Sequence, residues 1–187
     1  AFEVAQTSPR LALTSALHRC GKTTTLDLLS GLVPRALPTS NISPAAVFRI
    51  IEEVQPTLLI DEADTFLEER EELRGLLNSG HRKGMAYVIR TVGEDFEPRR
   101  FTTWCPMALA RIGSFPQTLE DRSLLIHMQR KTPEQRVHRF SWRKMAPLRV
   151  LASQAARWVA DHIKEIEQRD PERPKQLVND RAMDNWT

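Results

Sequence analysis

With 187 residues, 41% of them hydrophobic and 27% charged, the chain is long enough for one domain with a full core and a small appendage, and seven glycines argue against a low-complexity class. No apolar run reaches the roughly 18–20 residues of a membrane span, and no charged-then-apolar leader opens the chain. The net charge of +3 is uneven: residues 81–150 carry 14 Lys and Arg against 6 Asp and Glu, while residues 1–80 carry 7 against 11, so the middle of the chain suits a polyanion or a solvated basic face.

Leu11–Thr14 reads as a short buried strand, and Thr23–Leu29 has helical apolar spacing that Gly31 and Pro34 stop. Ala36-Leu37 fits a brief strand. Ser43-Pro44 is a helix start, with Val47, Ile50, Ile51 and Val54 on one face up to Pro56. Thr57–Ile60 is a compact apolar strand ending in acids, and Thr65–Asn78 reads as one helix with a Glu-rich outer face. Met85–Val92 and Arg99–Trp104 are β-like runs joined by Gly93–Pro98, a hairpin or two linked strands. Leu124–Met128 is a further strand; beyond it the pattern is helical, with a long amphipathic helix over Leu148–Glu167, breaks at Pro171 and Pro174, and a last helix starting at Asn179 or Asp180. Strands alternating with helices predict an α/β domain with a mostly parallel sheet. The chain lacks an initial Met and is patterned at both ends, so it reads as a piece of something longer. Two cysteines make no disulfide framework, and a reducing, cytoplasmic setting is the expectation.

Cys20-Gly21-Lys22-Thr23-Thr24, between strand and helix, has the form of a phosphate-binding loop. Such a loop surrounds a phosphate with backbone N–H groups and aims a helix N-terminus at it. Lys22 would reach the β- and γ-phosphates of ATP, and Thr23 would offer its hydroxyl to Mg2+. The pattern G-x-x-x-x-G-K-[ST] asks for glycine at Ala16, so the match is incomplete, and a bare G-K-T also occurs on solvated helices. Leu58-Leu59-Ile60-Asp61-Glu62 supplies the second half: a buried strand delivering two carboxylates at its C-terminal end, where ligands of parallel sheets bind. Asp61 would hold Mg2+ through its water shell, and Glu62 would act as general base on the attacking water. By themselves these acids also suit the first turn of the next helix.

A Glu directly after that Asp resembles the additional-strand ATPases, including AAA+ machines and many helicases. The resemblance implies a strand inserted between the loop strand and the acidic strand, for which Arg99–Trp104 is the candidate, with Thr102 or Thr103 as the polar sensor at its end. It also implies an arginine finger just before the last core strand. Arg122 in Phe115–Ser123 takes that place, the alternative being an internal salt bridge to Glu120, Asp121 or another acid. Arg82, Lys83 and Arg90 stand at a hairpin that, in several ring helicases, enters the DNA channel. His81 has no second metal ligand at a useful spacing.

More specifically, the chain resembles a domain of uncharacterised function in plasmid, prophage and phage primase–helicase-like proteins. The likeness lies in Pro9–Ser15, Arg19–Thr24, Ser40–Ala45, Pro56–Phe66, Leu73–Arg82, Asp121–Ser123 and Asn179–Trp186. It implies a P-loop NTPase core over residues 1–131 with sheet order 5-1-4-3-2, then an incomplete helical lid over 132–187 in which Arg181 is a possible second sensor over the phosphates. The implied activity is Mg2+-dependent ATP hydrolysis, driving remodelling or unwinding of DNA in replication of a mobile element, by a homo-oligomeric ring that touches single-stranded DNA through residues 82–111. An ATP-gated assembly or binding module with little turnover is the alternative. A small-molecule kinase fits Glu62 and Arg122 less well.

Overall fold

A computed structural model describes residues 2–64, 70–170, 172 and 180–186, with only the backbone of Lys144, Asp180 and Arg181. In chain order the regular elements are β1 (Arg10–Ser15), α1 (Lys22–Ser30), β2 (Ala36–Thr39), α2 (Pro44–Val54), β3 (Thr57–Ile60), α3 (Glu71–Ser79), β4 (Tyr87–Val92), β5 (Glu97–Thr102), β6 (Met107–Ile112), α4 (Gln117–Glu120), β7 (Ser123–His127), α5 (Ala146–Gln168) and α6 (Asp180–Asp184).

Five strands form one sheet in the order β2-β3-β6-β1-β7, every neighbouring pair parallel. Counting only these five in chain order, the sheet reads 2-3-4-1-5, the expected order seen from the other edge. Alternation along the central strands divides the core in two. Ala12, Leu58, Ile60, Met107 and Leu109 face α2 and α3, joining Val47, Phe48, Ile51, Leu73, Leu76 and Leu77. Leu13, Leu59, Ala108 and Ala110 face the other way and meet Leu26 of α1. The arrangement is an α/β fold with helices on both faces of a parallel sheet.

The inserted strand differs from the one expected. Met107–Ile112, not Arg99–Trp104, lies between β1 and β3, pairing Ala108 with both Leu11 and Leu59. Its alanines are too small to give a strong apolar signal, yet a central strand covered by α1 has room for little more. Arg99–Thr102 belongs to β5, which pairs only with β4 in an antiparallel hairpin. The turn of that hairpin, Gly93–Phe96, has left-handed backbone at Gly93 (φ 73°) and Phe96 (φ 54°). Its inner face rests on α2, with Phe101 4.8 Å from Phe48 and the Thr102 N–H donating to Glu52 Oε2 at 2.8 Å.

One helix starts later than the sequence pattern suggests, and another buries a different face. Arg70 is non-helical (φ −115°, ψ 85°), so α3 starts at Glu71; Thr65 and Phe66, expected in the same helix, lie outside the described residues. In α2, Ser43 caps the helix by accepting from Ala46 N–H, but the buried face is Val47, Phe48 and Ile51, and Val54 is exposed.

Arg10 is fully buried and has only carbonyl partners among its hydrogen bonds: Nε and Nη2 donate to Leu77 O at 3.1 and 2.7 Å, and Nη1 to Ser8 O at 2.6 Å. Burial pulls its pKa down to about 10, so the guanidinium stays charged at neutral pH and faces the negative C-terminal end of α3. Gly80 ends that helix under tight quarters. A Cβ there would stand 2.2 Å from Thr103 O and 2.8 Å from Arg10 Nη2. Gly80→Ala is expected to destabilise the fold by about 1–3 kcal/mol in chemical denaturation, the usual range of overpacking. Gly84→Ala, whose added methyl would meet nothing within 4 Å, should change stability by less than about 0.5 kcal/mol.

Candidate functional site

The loop from Ala16 to Gly21 leaves the C-terminal end of β1 and turns into α1. Two of its residues have left-handed backbone, Arg19 (φ 62°) and Gly21 (φ 88°), and left-handed residues among right-handed ones turn successive N–H groups toward one point. With Ala16 in place of glycine, the loop is held by other contacts. The Cys20 thiol donates to Leu17 O at 3.2 Å, Thr25 Oγ1 donates to Gly21 O at 3.1 Å, and Arg130, beyond β7, donates to His18 O at 2.8 Å. Lys22 is buried at the head of α1, and its ammonium donates to Ser15 Oγ. Its charge therefore lies under the loop rather than on a solvated helix.

Asp61 follows β3 at the same edge of the sheet and meets the loop directly. Its Oδ2 accepts from Thr23 Oγ1 at 2.6 Å, and its Oδ1 accepts from the Glu62 N–H at 2.9 Å. The second bond supports Glu62 in a left-handed conformation (φ 53°), which for a side chain of this kind costs about 1–3 kcal/mol and is concentrated at functional positions. Asp61 also raises the pKa of Asp27 on α1, in second place after burial.

These residues open on a cavity of about 360 Å³ lined by Lys22, Thr23, Thr24, Asp61, Glu62 and Arg111, together with Cys20 and Gly21 of the loop. Arg111 is the residue that sequence reasoning missed. It sits at the end of the inserted strand, is buried, donates from Nε to Ile112 O at 3.1 Å, and lies 5.5 Å over the Phe115 ring. It holds the place expected for a polar sensor; its basic charge was visible in the sequence, its strand was not. Thr102 and Thr103 are elsewhere: Thr102 Oγ1 accepts from Trp104 N–H at 3.1 Å, and Thr103 is fully buried beside Ser79 Oγ at 2.9 Å. The misassignment follows from the wrong choice of inserted strand.

Chemically, the cavity offers convergent N–H groups and an ammonium for phosphates, and a hydroxyl–carboxylate pair for a hard divalent cation. Among the described residues no three His, Cys, Asp or Glu gather to hold a metal unaided. Mg2+ does not require that, since it keeps waters and is commonly bound by one or two carboxylates with substrate phosphates. The pair Thr23–Asp61 fits such an ion.

Arg122 is not part of this cavity. It precedes β7 at the opposite, N-terminal edge of the sheet, where its carbonyl accepts from Arg10 N–H at 2.9 Å and its Nη1 donates to Thr118 O. Beside it, buried His81 contacts Asn185 Oδ1 through Nε2 at 2.8 Å. Arg181 lies in α6, with its side chain outside the described residues. Of the hairpin-side cations, Arg82 pairs with Asp184 at 2.9 Å, Arg90 with Glu72 at 2.8 Å, and Lys83 donates to Glu3 O. Among the described residues no carboxylate pairs with Arg99 or Arg100, which lie 4.9 Å over Phe101 and 4.1 Å over Tyr87.

Residues 127–187 match a family described as "Protein of unknown function (DUF3631)". That stretch begins at the end of β7 and leaves the loop, Asp61 and Arg122 outside it. No curated protein matches the chain. None of the described helices is long and apolar enough to cross a membrane.

His81 makes the opposite edge sensitive to pH. Burial holds its imidazole below the ordinary 6.5; the Asn185 contact works against this, and Arg10, Arg122 and Arg82 work with it. The unfolded chain therefore takes up a proton that the folded chain resists, so stability present above pH 6.5 is lost as pH falls toward the folded value. Urea denaturation from neutral to acidic pH should show a steeper loss in the wild type than in His81→Gln.

Proposed function

We propose that the chain is the core of a Mg2+-dependent ATPase of the P-loop class that works on DNA as an oligomer. The observation that carries this reading is the 2.6 Å contact of Thr23 Oγ1 with Asp61 Oδ2 at the C-terminal edge of the parallel sheet, between Lys22 and Glu62 on one cavity. Two segments 38 residues apart meet there with the groups that phosphoryl transfer to water requires.

In this reading the loop N–H groups and Lys22 bind the β- and γ-phosphates, with Thr23 and Asp61 holding Mg2+. The bound ion would supply charge neutralisation on the phosphate oxygens. Glu62 orients a water and takes its proton as the water oxygen bonds to the γ-phosphorus and the bond to the bridging oxygen of ADP breaks. Arg111 brings a second buried cation to the phosphates from the inserted strand. Arg122, at the far edge, serves the site of a neighbouring copy.

DNA enters the proposal through the hairpin. Met85 (72% exposed), Ile89 (56%) and Phe96 (73%) are uncovered, and Tyr87 carries Arg100 on its ring. Aromatic faces with arginines suit the bases and phosphates of a single strand. Arg99 and Arg100, with no carboxylate partner among the described residues, are better placed for that contact than Arg82 or Arg90.

The position of Arg122 also favours a second reading, an ATP-gated module in which a lone chain binds nucleotide and hardly turns it over. Turnover assays on the oligomer separate the two. Glu62→Gln is expected to lower kcat by about 10²-fold or more, the usual contribution of a general base, with ATP binding retained. Arg122→Ala should cost about 10³-fold, the low end for an arginine finger. Equal turnover in wild type and Glu62→Gln would sink the hydrolytic assignment and leave the gated module.

The DNA half is tested by adding single-stranded DNA. Stimulation should weaken as salt is raised and should be reduced in the Arg99→Ala, Arg100→Ala double variant. No stimulation at low salt would remove DNA from the proposal.

A further inference from the structure

We propose that Asn185 is a positioning residue for Arg122, so that the C-terminal turn sets how this arginine is presented to a neighbouring copy of the chain. The inference rests on the reading above, in which Arg122 acts on a neighbour's nucleotide. Asn185 is buried at the N-terminal edge of the sheet. Its Nδ2 donates to Asp121 O at 3.1 Å and to Ser123 O at 3.5 Å, the two residues that flank Arg122. The carbonyl of Arg122 itself accepts from Arg10 N–H at 2.9 Å. All three successive carbonyls around the arginine are therefore held, two of them by one side chain more than 60 residues away.

The other side of the same carboxamide is also engaged. Asn185 Oδ1 faces His81 Nε2 at 2.8 Å, and the preceding Asp184 pairs with Arg82 at 2.9 Å. A carboxamide suits this place, since its NH2 donates to two carbonyls on one side while its oxygen faces an imidazole on the other. The tie joins the segment after α3, the turn before β7 and the C-terminal turn. It fixes the backbone of Arg122, whose side chain donates to Thr118 O. A tie that merely fastened the C-terminal segment would need no contact on both sides of Arg122.

Subunit mixing separates positioning from simple support of the fold. Asn185→Ala is expected to keep ATP binding and the KM for ATP while kcat falls about tenfold, as when an outer partner that orients a functional group is lost. Glu62→Gln subunits have an inactive site of their own but an intact Arg122. Mixed with Asn185→Ala subunits, they should raise turnover above the sum of the separate samples. Asn185→Asp, which keeps an oxygen toward His81 and removes the donor to the two carbonyls, should behave in the same way and guards against a variant that fails to fold.

Arg122→Ala mixed with Glu62→Gln is the reference. If the reference mixture gains activity and neither Asn185 variant does, the positioning role is overturned. Loss of ATP binding in both Asn185 variants would also overturn it, since the residue would then support the whole fold. If the reference mixture gains nothing, the action of Arg122 on a neighbour fails first and the proposal falls with it.

Discussion

Thr23, in α1 after β1, and Asp61, just after β3, follow strands that do not touch. β6 stands between β1 and β3, so the two strand ends are separated by two inter-strand spacings, roughly 9–10 Å. The gap is closed by α1, which lies across β6 and packs Leu26 against Ala108 and Ala110. Two small residues in the middle of the sheet are what let the helix sit low enough for its first turn to reach the acidic strand. Larger side chains there would lift α1 and separate the hydroxyl from the carboxylate. The chemistry at the edge thus depends on packing several ångströms below it.

The same sheet has opposite electrostatic characters at its two ends. At the C-terminal ends of the strands, Asp61, Glu62 and Asp64 gather around the buried Lys22 and Arg111. At the N-terminal ends stand Arg10, His81 and Arg122, close enough that Arg122 disfavours the charge on Arg10 and both arginines disfavour a charge on the imidazole. Arg10 tolerates burial because its donors are taken up by carbonyls, two of its three bonds at the end of α3. A cation fixed in this way organises the turn beside it, through the hydrogen bond of its backbone N–H to the Arg122 carbonyl.

Much of this was legible in the sequence because hydrophobic runs with sharp polar ends leave a clear pattern. Thr57–Ile60 is wholly buried, and its transition to Asp61-Glu62 marks the site edge. The helix start at Ser43-Pro44 and the hairpin around Gly93 could be read from capping and turn chemistry. β6 could not, because Met-Ala-Leu-Ala-Arg-Ile mixes small, large and charged residues, and its identity as a strand comes from the neighbours that flank it. Once β6 was missed, the end of the inserted strand was read at the threonines at the end of β5 instead of at Arg111. The non-helical backbone of Arg70 was equally hidden, since an arginine among glutamates is compatible with helix.

Charge counting likewise measured something different from available charge. Residues 81–150 are rich in Lys and Arg, but Arg111 is turned into the cavity, Arg90 is bound to Glu72, and Arg82 is bound to Asp184. Both neutralising acids lie outside the basic segment, one in α3 and one in α6, so a charge count over that segment could not discount them. What remains at the hairpin is Arg99 and Arg100 beside exposed Tyr87, Ile89 and Phe96, a smaller and more aromatic surface than the composition suggested. A surface of that kind gains more from stacking than from charge alone. Under the proposed function, such a surface suits an unstacked single strand better than the regular backbone of a duplex.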